Sequence, residues 1–111
     1  MNYDIEIAIP VLNEEKDLKR QIDKIKTYVD KKIIGINIGL IIADNGSKDK
    51  TYMIAEELSH QNGVRCIRTK KKGVGRALKK AWLTSNSDYV GYMDLDTATE
   101  LKHLKEITKI I

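Results

Sequence analysis

The chain has 111 residues, of which 41% are hydrophobic and 32% charged, and its formal net charge is +4. This composition is typical of one folded globular domain and excludes a disordered tail. No window approaches the roughly 18 uninterrupted apolar residues of a membrane span, and residues 1–13 lack the basic start and small-residue cleavage site of a signal peptide. The sequence therefore predicts one domain over residues 1–111, in the cytosol or peripheral at a membrane surface.

The basic residues are concentrated in one segment. Residues 65–80 contain eight of the 20 Lys and Arg residues and none of the 16 acids. Such a local patch suits the phosphates of a nucleotide, a nucleic-acid backbone or anionic lipid headgroups. Little aromatic interleaving accompanies these cations, and this argues against nucleic acid.

The hydrophobic pattern of the first half predicts alternating strands and helices. Isoleucines at period two predict a first strand over residues 3–9, which ends at Pro10. A helix with Asn13 as its N-cap follows, since its apolar residues recur at helical spacing. The nearly continuous apolar run 36–43 predicts a second strand, buried on both faces, that ends at Asp44.

The second half continues this alternation. A helix is predicted near residues 50–60, a short strand at 64–68, a third helix from Val74, a buried strand at 89–93 and a fourth helix at 101–111. Strands joined by helical crossovers form parallel sheets. The sequence therefore predicts an α/β fold, a Rossmann-like parallel sheet with helices on both faces.

Carboxylates follow three of the predicted strands. Glu14 comes after the first strand, Asp44 after the second, and Asp94 and Asp96 after the last. Ligands of parallel α/β sheets bind at this carboxyl edge, where the strand order reverses. Two aspartates one residue apart on a strand point the same way, and Mg²⁺ or Mn²⁺ binds one or two carboxylates together with phosphate oxygens and water. The pattern predicts a divalent metal that holds a diphosphate.

Each motif also has a purely structural explanation. Asp96 can cap the following helix, and Asp44 can form an Asx-turn with Gly46 and Ser47. The glycine-rich segment 72–76 can cradle phosphates with its backbone N–H groups, but it lacks the third glycine of a dinucleotide-binding loop and the Lys-Ser/Thr of a Walker motif. Taken one at a time, the motifs do not identify a function.

Four motifs in succession closely resemble those of family 2 glycosyltransferases. They are Ile9-Pro10-Val11-Leu12-Asn13-Glu14-Glu15, Ala43-Asp44-Asn45-Gly46-Ser47-Lys48-Asp49-Lys50-Thr51, Lys72-Gly73-Val74-Gly75-Arg76-Ala77 and Asp94-Leu95-Asp96. The resemblance spans essentially the whole chain and is nearest to the dolichyl or polyprenyl phosphate sugar synthases. It implies the N-terminal half of the GT-A nucleotide-diphospho-sugar transferase fold and inverting sugar transfer.

The resemblance also implies roles for the matching residues. Asp94 and Asp96 would hold Mg²⁺ or Mn²⁺ against the diphosphate of a GDP- or UDP-linked sugar. A polyprenyl phosphate at the membrane surface would accept the sugar. The residues that the resemblance places at the nucleotide are Pro10, Val11, Glu14, Asp44, Asn45, Lys72, Arg76, Asp94 and Leu95.

The chain departs from the family pattern in its motifs and its length. Asn45 stands where a second aspartate is usual, and Thr97 and Ala98 stand where Gly-Gln is common. A complete catalytic domain of the family is about twice this length. Its acceptor half carries the general base, for which this chain has no candidate. We therefore expect donor binding with weak or no sugar transfer, and a last strand at an exposed sheet edge that favours self-association.

Two other functions remain open from the sequence. A non-enzymatic module could use residues 65–80 on anionic lipid or nucleic acid, with steep salt dependence and no need of the acidic pair. A nucleotidyltransferase would share the half-sheet and the metal. It should carry a glycine- and arginine-rich loop directly after the first strand, where this chain has Pro10-Val11-Leu12-Asn13-Glu14.

Overall fold

A computed structural model describes residues 3–70 and 73–95 of the chain, with strands and helices that alternate as predicted. The strands are β1 (Ile5–Val11), β2 (Ile38–Asp44), β3 (Val64–Arg68) and β4 (Tyr89–Tyr92). The helices are α1 (Leu18–Lys32), α2 (Thr51–Leu58) and α3 (Val74–Leu83). The predicted fourth helix, at 101–111, lies outside the described residues.

The four strands form one parallel sheet in the order β3-β2-β1-β4. The chain moves outward from β1 to β2 and β3, and then returns to place β4 on the other side of β1. The strand order therefore reverses between β1 and β4, which is where the carboxyl edge of an α/β sheet opens into a crevice. The predicted Rossmann-like α/β fold is confirmed.

Helices cover both faces of the sheet because successive strand side chains point to opposite faces. On one face, Ile22 and Ile25 of α1 belong to the same buried cluster as Ile9 and Ile42 of the central strands. This arrangement confirms the predicted apolar face of α1. On the other face, the side chains that pack together are small and include Ala8, Ala43, Ala77 and Ala81. Alanines at these positions let α3 lie close to the sheet.

β1 continues through Pro10 to Val11, although the sequence predicted a strand end before Pro10. The backbone of a parallel strand bonds alternately to its two neighbours. Val11 accepts from Asn45 on the β2 side, whereas Ala8 accepts from Met93 on the β4 side. The nitrogen of Pro10 therefore faces β4, just past the last paired residue. The missing N–H ends the β1–β4 ladder and leaves the β1–β2 ladder intact.

The side chains of β4 were predicted to be buried, and this prediction is wrong, although the sequence also predicted that this strand lies at an exposed sheet edge. Tyr89, Val90 and Tyr92 are 55%, 44% and 60% exposed. The reason is position: β4 pairs with β1 alone and forms an edge of the sheet in the part of the chain that the structure describes. α3 reaches it near its own C-terminal end, where the Trp82 indole N–H donates to the carbonyl of Gly91 at 3.2 Å.

Candidate functional site

The register of β1 and β2 brings two loops to the same edge of the sheet. Val11 pairs with Asp44 at the carboxyl end of both strands. The Asn45 N–H then donates to the carbonyl of Val11 at 2.9 Å, which extends the pairing past the end of β2. The loops that follow, 12–17 and 45–50, therefore start side by side.

Hydrogen bonds clamp these two loops together. The N–H groups of Asn13 and Glu14 donate to the hydroxyls of Ser47 and Thr51, at 2.9 and 2.7 Å. The Asn13 side-chain oxygen accepts from the N–H of Lys48 at 2.9 Å. Asn13 adopts a left-handed backbone, with φ of 52°, a conformation that asparagine tolerates better than most residues. It therefore does not cap α1, contrary to prediction, and the N-cap is at residue 17.

A second set of contacts between the loops involves carboxylates. Asp49 accepts from the N–H of Thr51 at 2.8 Å and from the N–H of Glu15 at 3.4 Å, while Glu15 accepts from the N–H of Lys50 at 3.3 Å. Desolvation raises the pKa of Asp49, but the hydrogen bonds from the Thr51 hydroxyl and backbone and from the Glu15 backbone together outweigh it, so the pKa lies below its ordinary value. The loop conformation is thus stabilised by an ionised carboxylate at neutral pH.

Asp44 is completely buried, and its two oxygens have different surroundings. Oδ1 accepts from both the N–H and the hydroxyl of Ser47, which is the Asx-turn that the sequence allowed. Oδ2 has no hydrogen-bond partner among the described residues. Arg68 forms an ion pair with it, but at 3.5 Å between Nε and Oδ2 this contact is too long and poorly aligned to count as a hydrogen bond. Asp44 therefore forms a turn through Oδ1, while Oδ2 has an ion pair but no hydrogen bond from the described residues.

Arg68 covers this acceptor from the end of β3. Its side chain is 47% exposed, donates to the Ser47 carbonyl at 3.2 Å and stacks over the ring of Tyr52 at 4.8 Å. The sequence pointed to Arg68 only as one member of the basic segment. Its place directly at the end of a parallel strand is the signal that identifies it, since strand ends share one edge.

Asn45 connects this edge to the glycine-rich segment. It is 5% exposed, and its side-chain oxygen accepts from the N–H of Gly73 at 2.6 Å, at the start of α3. An amide oxygen thus makes a bond that a carboxylate oxygen could also make, and this fits the departure from the family's second aspartate. Arg76 lies exposed in the first turn of α3. Lys72 lies outside the described residues.

The chain leaves β4 at the crevice beside β1. Met93 and Leu95 are buried in the core, whereas Asp94 between them is exposed, so the alternation continues past the strand. Asp96, the second predicted metal ligand, lies outside the described residues. Val11 is also buried in the core. The side chains of Val11 and Leu95 both belong to the core cluster, so a ligand would meet mainly the backbone at these two positions. Their contact with a nucleotide stays a prediction.

Only one carboxylate of the predicted metal pair, Asp94, lies within the described residues. Residues 3–70 and 73–95 contain no cluster of three or more His, Cys, Asp or Glu side chains able to hold a metal ion by themselves. Mg²⁺ in nucleotide sites uses one or two carboxylates, with phosphate oxygens and water as its other ligands. The exposed Asp94 at the crevice satisfies that requirement in part.

A parallel α/β sheet with helices on both faces places the chain in the class of Rossmann-like domains. Residues 6–111 match the family model described as Glycosyl transferase family 2, and the chain belongs to this family. The predicted family membership is confirmed.

The curated relatives that match the chain include dolichol- and dolichyl-phosphate sugar transferases. The chain is 31% identical over 104 residues to the dolichol-phosphate mannosyltransferase of Pyrococcus furiosus, a match that covers 93% of this chain and 27% of the relative. It is 28% identical to the dolichyl-phosphate beta-glucosyltransferase of Dictyostelium discoideum, with 99% and 36% covered, and 26% identical to that of Homo sapiens, with 95% and 35% covered. The chain thus spans roughly a third of the length of these relatives. The predicted resemblance to dolichyl-phosphate sugar transferases is confirmed.

Among the described helices none is both long and apolar enough to cross a bilayer.

Proposed function

We propose that this chain is the donor-binding part of an inverting glycosyltransferase and binds a GDP- or UDP-linked sugar together with Mg²⁺ or Mn²⁺. The observation that carries the proposal is Oδ2 of the buried Asp44 at the carboxyl edge, which receives no hydrogen bond from any described residue. A buried acceptor without a donor costs free energy unless a ligand satisfies it. The family membership supplies the chemical class of that ligand.

Guanine and uracil both carry a ring N–H that can donate to Oδ2. A hydrogen bond to an ionised carboxylate is stronger than one between neutral groups. Arg68 lies across this path. It is half-exposed and is held there by the 3.5 Å ion pair with Asp44, one hydrogen bond and one ring contact. The base N–H replaces Arg68 at Oδ2, and Arg68 becomes available to other parts of the ligand.

The diphosphate lies between the glycine-rich segment and the acidic pair in this proposal. The N-terminal turn of α3 and Arg76 attract phosphate, as does Lys72. Asp94 and Asp96 hold the metal ion, which offsets the negative charge that grows on the departing nucleoside diphosphate. Pro10 and Glu14 border the base and ribose.

The acceptor side of the proposal comes from the relatives. The curated proteins that match are named as dolichol- or dolichyl-phosphate sugar transferases, and this supports a polyprenyl phosphate acceptor at a membrane surface. They extend well beyond the stretch matched here. We therefore propose that the general base belongs to that further part, so that this chain binds donor but transfers sugar weakly.

Calorimetric titration with UDP and GDP, with and without Mn²⁺, tests the proposal. Asp44→Asn is expected to weaken binding about ten- to a hundredfold, since a hydrogen bond to a charged group contributes roughly 1.5–3 kcal/mol. The amide nitrogen of the variant would turn a donor towards the base N–H. Asp23→Asn is the matched control, because Asp23 is an exposed residue of α1 whose partner is Lys19.

The metal dependence needs its own comparison. Wild-type affinity is expected to rise on addition of Mn²⁺, and Asp96→Ala is expected to abolish that rise. Binding that ignores Mn²⁺ and is equally strong in the Asp96→Ala and Asp44→Asn variants would instead support a basic module for anionic ligands. Such a module would lose affinity steeply with added salt.

We also propose that the outer edge of β4 pairs with a second copy of the chain. The backbone of Tyr89 and Met93 bonds to β1, so the N–H and C=O groups of Val90 and Tyr92 face outward. In the described part of the chain nothing pairs with them. This strand also lacks the Lys or Pro by which exposed edges usually avoid association.

Sedimentation velocity over a range of concentrations measures this association. The wild-type average mass is expected to rise towards twice that of a monomer, while Val90→Lys keeps the chain monomeric because a charge at the edge opposes strand pairing. Met53→Lys is the control, since Met53 is a 54% exposed residue of α2 away from β4. A wild-type chain that stays monomeric at high concentration contradicts the proposal.

A further inference from the structure

The hydroxyl of Ser47 lies between Asp44 and the loop after β1. The N–H of Asn13 lies 2.9 Å from Ser47 Oγ, and the Oδ1 of Asp44 lies within hydrogen-bond distance on the other side. An N–H group can only donate, so Ser47 Oγ accepts from Asn13. The single hydroxyl proton is therefore directed to Asp44. The backbone of Asn13 thus fixes the direction in which Ser47 donates.

This arrangement decides which carboxylate oxygen is left for a ligand. Oδ1 of Asp44 takes the Ser47 hydroxyl and also the Ser47 N–H, which lies at 3.0 Å. Both donors hold the carboxylate in one rotamer. Oδ2 keeps its lone pairs and has no hydrogen-bond donor in the described structure. Because Ser47 is only 2% exposed, water does not compete for these bonds.

We propose that Ser47 is the positioning residue that makes Asp44 selective for a nucleotide base with a ring N–H donor. The inference rests on the proposed nucleotide binding and adds a specificity determinant to it. A base such as uracil or guanine offers a donor to Oδ2, whereas cytosine and adenine present a ring nitrogen lone pair at the corresponding edge. Without the Ser47 hydroxyl the Asp44 carboxylate can rotate and accept from other donors. The preference for a base with a ring N–H then falls.

Thr51 provides a matched control within the same loop. It is completely buried, and its hydroxyl accepts from the N–H of Glu14 at 2.7 Å and bonds to Asp49. It therefore makes the same kind of clamp between the loops as Ser47 does. None of its hydrogen bonds involves Asp44, so its loss disturbs the loops without releasing the carboxylate. Comparing the two hydroxyls separates positioning from general loop stability.

The experiment measures base preference at constant phosphate chemistry. Dissociation constants of the full chain with Mn²⁺ are measured for UDP against CDP and for GDP against ADP. The pair to use is the one that contains the tighter-binding nucleotide. In that pair the wild type is expected to bind the nucleotide with the ring N–H about tenfold more tightly or better, because one hydrogen bond to a charged group contributes that much affinity. Ser47→Ala is expected to reduce that ratio at least threefold, and Ser47→Thr to restore it. Thr51→Val is expected to lower both affinities and keep the ratio.

The outcomes separate this inference from the proposed function. If Ser47→Ala keeps the wild-type ratio while Asp44→Asn removes it, Asp44 reads the base but Ser47 does not position it. If the wild type shows no preference and Asp44→Asn changes nothing, the proposed base contact fails, and the inference fails with it. Circular dichroism checks folding. Should Ser47→Ala fail to fold, Ser47→Cys, with its weaker donor, must lower the ratio partway or the inference is overturned.

Discussion

Replacing Arg65 with alanine is expected to lower the free energy of unfolding by about 3 kcal/mol, because it leaves a buried carboxylate without its charge partner. Glu6 lies in the central strand β1, and its side chain is 7% exposed. Arg65 binds both of its oxygens, at 2.8 Å from Nε and 3.2 Å from Nη2. Urea unfolding of the wild type and the variant measures the difference.

The same ion pair holds the C-terminal end of α3 on the sheet. Arg65 donates to the hydroxyl of Thr84 at 3.0 Å and to the carbonyl of Ala81 at 3.3 Å. The hydroxyl of Ser85 donates to Glu6 at 2.6 Å. Loss of Arg65 therefore removes its contacts with β1 and with the end of α3 at the same time. For this reason the expected loss in the free energy of unfolding is larger than that for an isolated surface ion pair.

The pH dependence follows from the pKa of Glu6. Burial raises this pKa, but the hydrogen bonds from Arg65 and Ser85 and the charge of Arg65 outweigh burial, so the pKa lies below its ordinary value of 4.5. A lowered pKa means that the folded state binds the proton less readily than the unfolded state does. The contribution to stability is complete above about pH 4.5 and is lost as the pH falls through the folded pKa. In Arg65→Ala, the free energy of unfolding is expected to decrease less than in the wild type as the pH falls.

Arg20→Ala is the matched control for Arg65. Arg20 pairs with Asp17 at 3.0 Å on the surface of α1, where the two side chains are 65% and 53% exposed. Exposed ion pairs contribute only about 0–1 kcal/mol. Equal destabilisation by the two variants would show that the buried pair with Glu6 has no special effect on stability.

Most of the fold could be predicted from local sequence patterns. The apolar spacing of Ile22 and Ile25 predicted the buried face of α1, and the unbroken apolar run of β2 predicted a strand covered on both faces. The exposure of β4 could not be predicted in this way, because Tyr89–Tyr92 is apolar whether it lies at the centre or at the edge of a sheet. Position in the sheet is a tertiary property, and the side-chain pattern of one strand does not contain it.

The site was predicted in part for a related reason. Strand ends placed Asp44 and Asp94 at one edge, since all carboxyl ends of a parallel sheet meet there. The sequence offered a turn and a ligand contact as alternatives for Asp44, whereas the structure assigns the turn to one oxygen and leaves the other without a hydrogen bond from the described residues. The Glu6–Arg65 pair joins residues 59 apart in sequence. The loop clamp likewise spans 34 to 37 residues, so no local pattern announces either feature.

Ile42→Ala is expected to destabilise the chain by about 2–5 kcal/mol, because it removes three buried carbon atoms and leaves a cavity beneath the site. Ile42 is fully buried in β2, between Ile9 of β1 and Cys66 of β3, on the face that α1 and α2 cover. A domain of this size has a total stability of about 5–15 kcal/mol, so the loss is a large fraction of it. A lower urea midpoint with an unchanged slope is the expected observation.

Ile34→Ala is the matched control for Ile42→Ala, because it makes the same substitution at an exposed position. Ile34 is 87% exposed after α1, so Ile34→Ala removes the same atoms from water rather than from the core and is expected to change stability by less than about 0.5 kcal/mol. Ile42 precedes Asp44 by two residues on a strand that leads directly into the clamped loop. Partial unfolding of Ile42→Ala should therefore weaken nucleotide binding only in proportion to the unfolded fraction. Similar urea midpoints for the two variants would mean that the cluster around Ile42 is not the principal core of this domain.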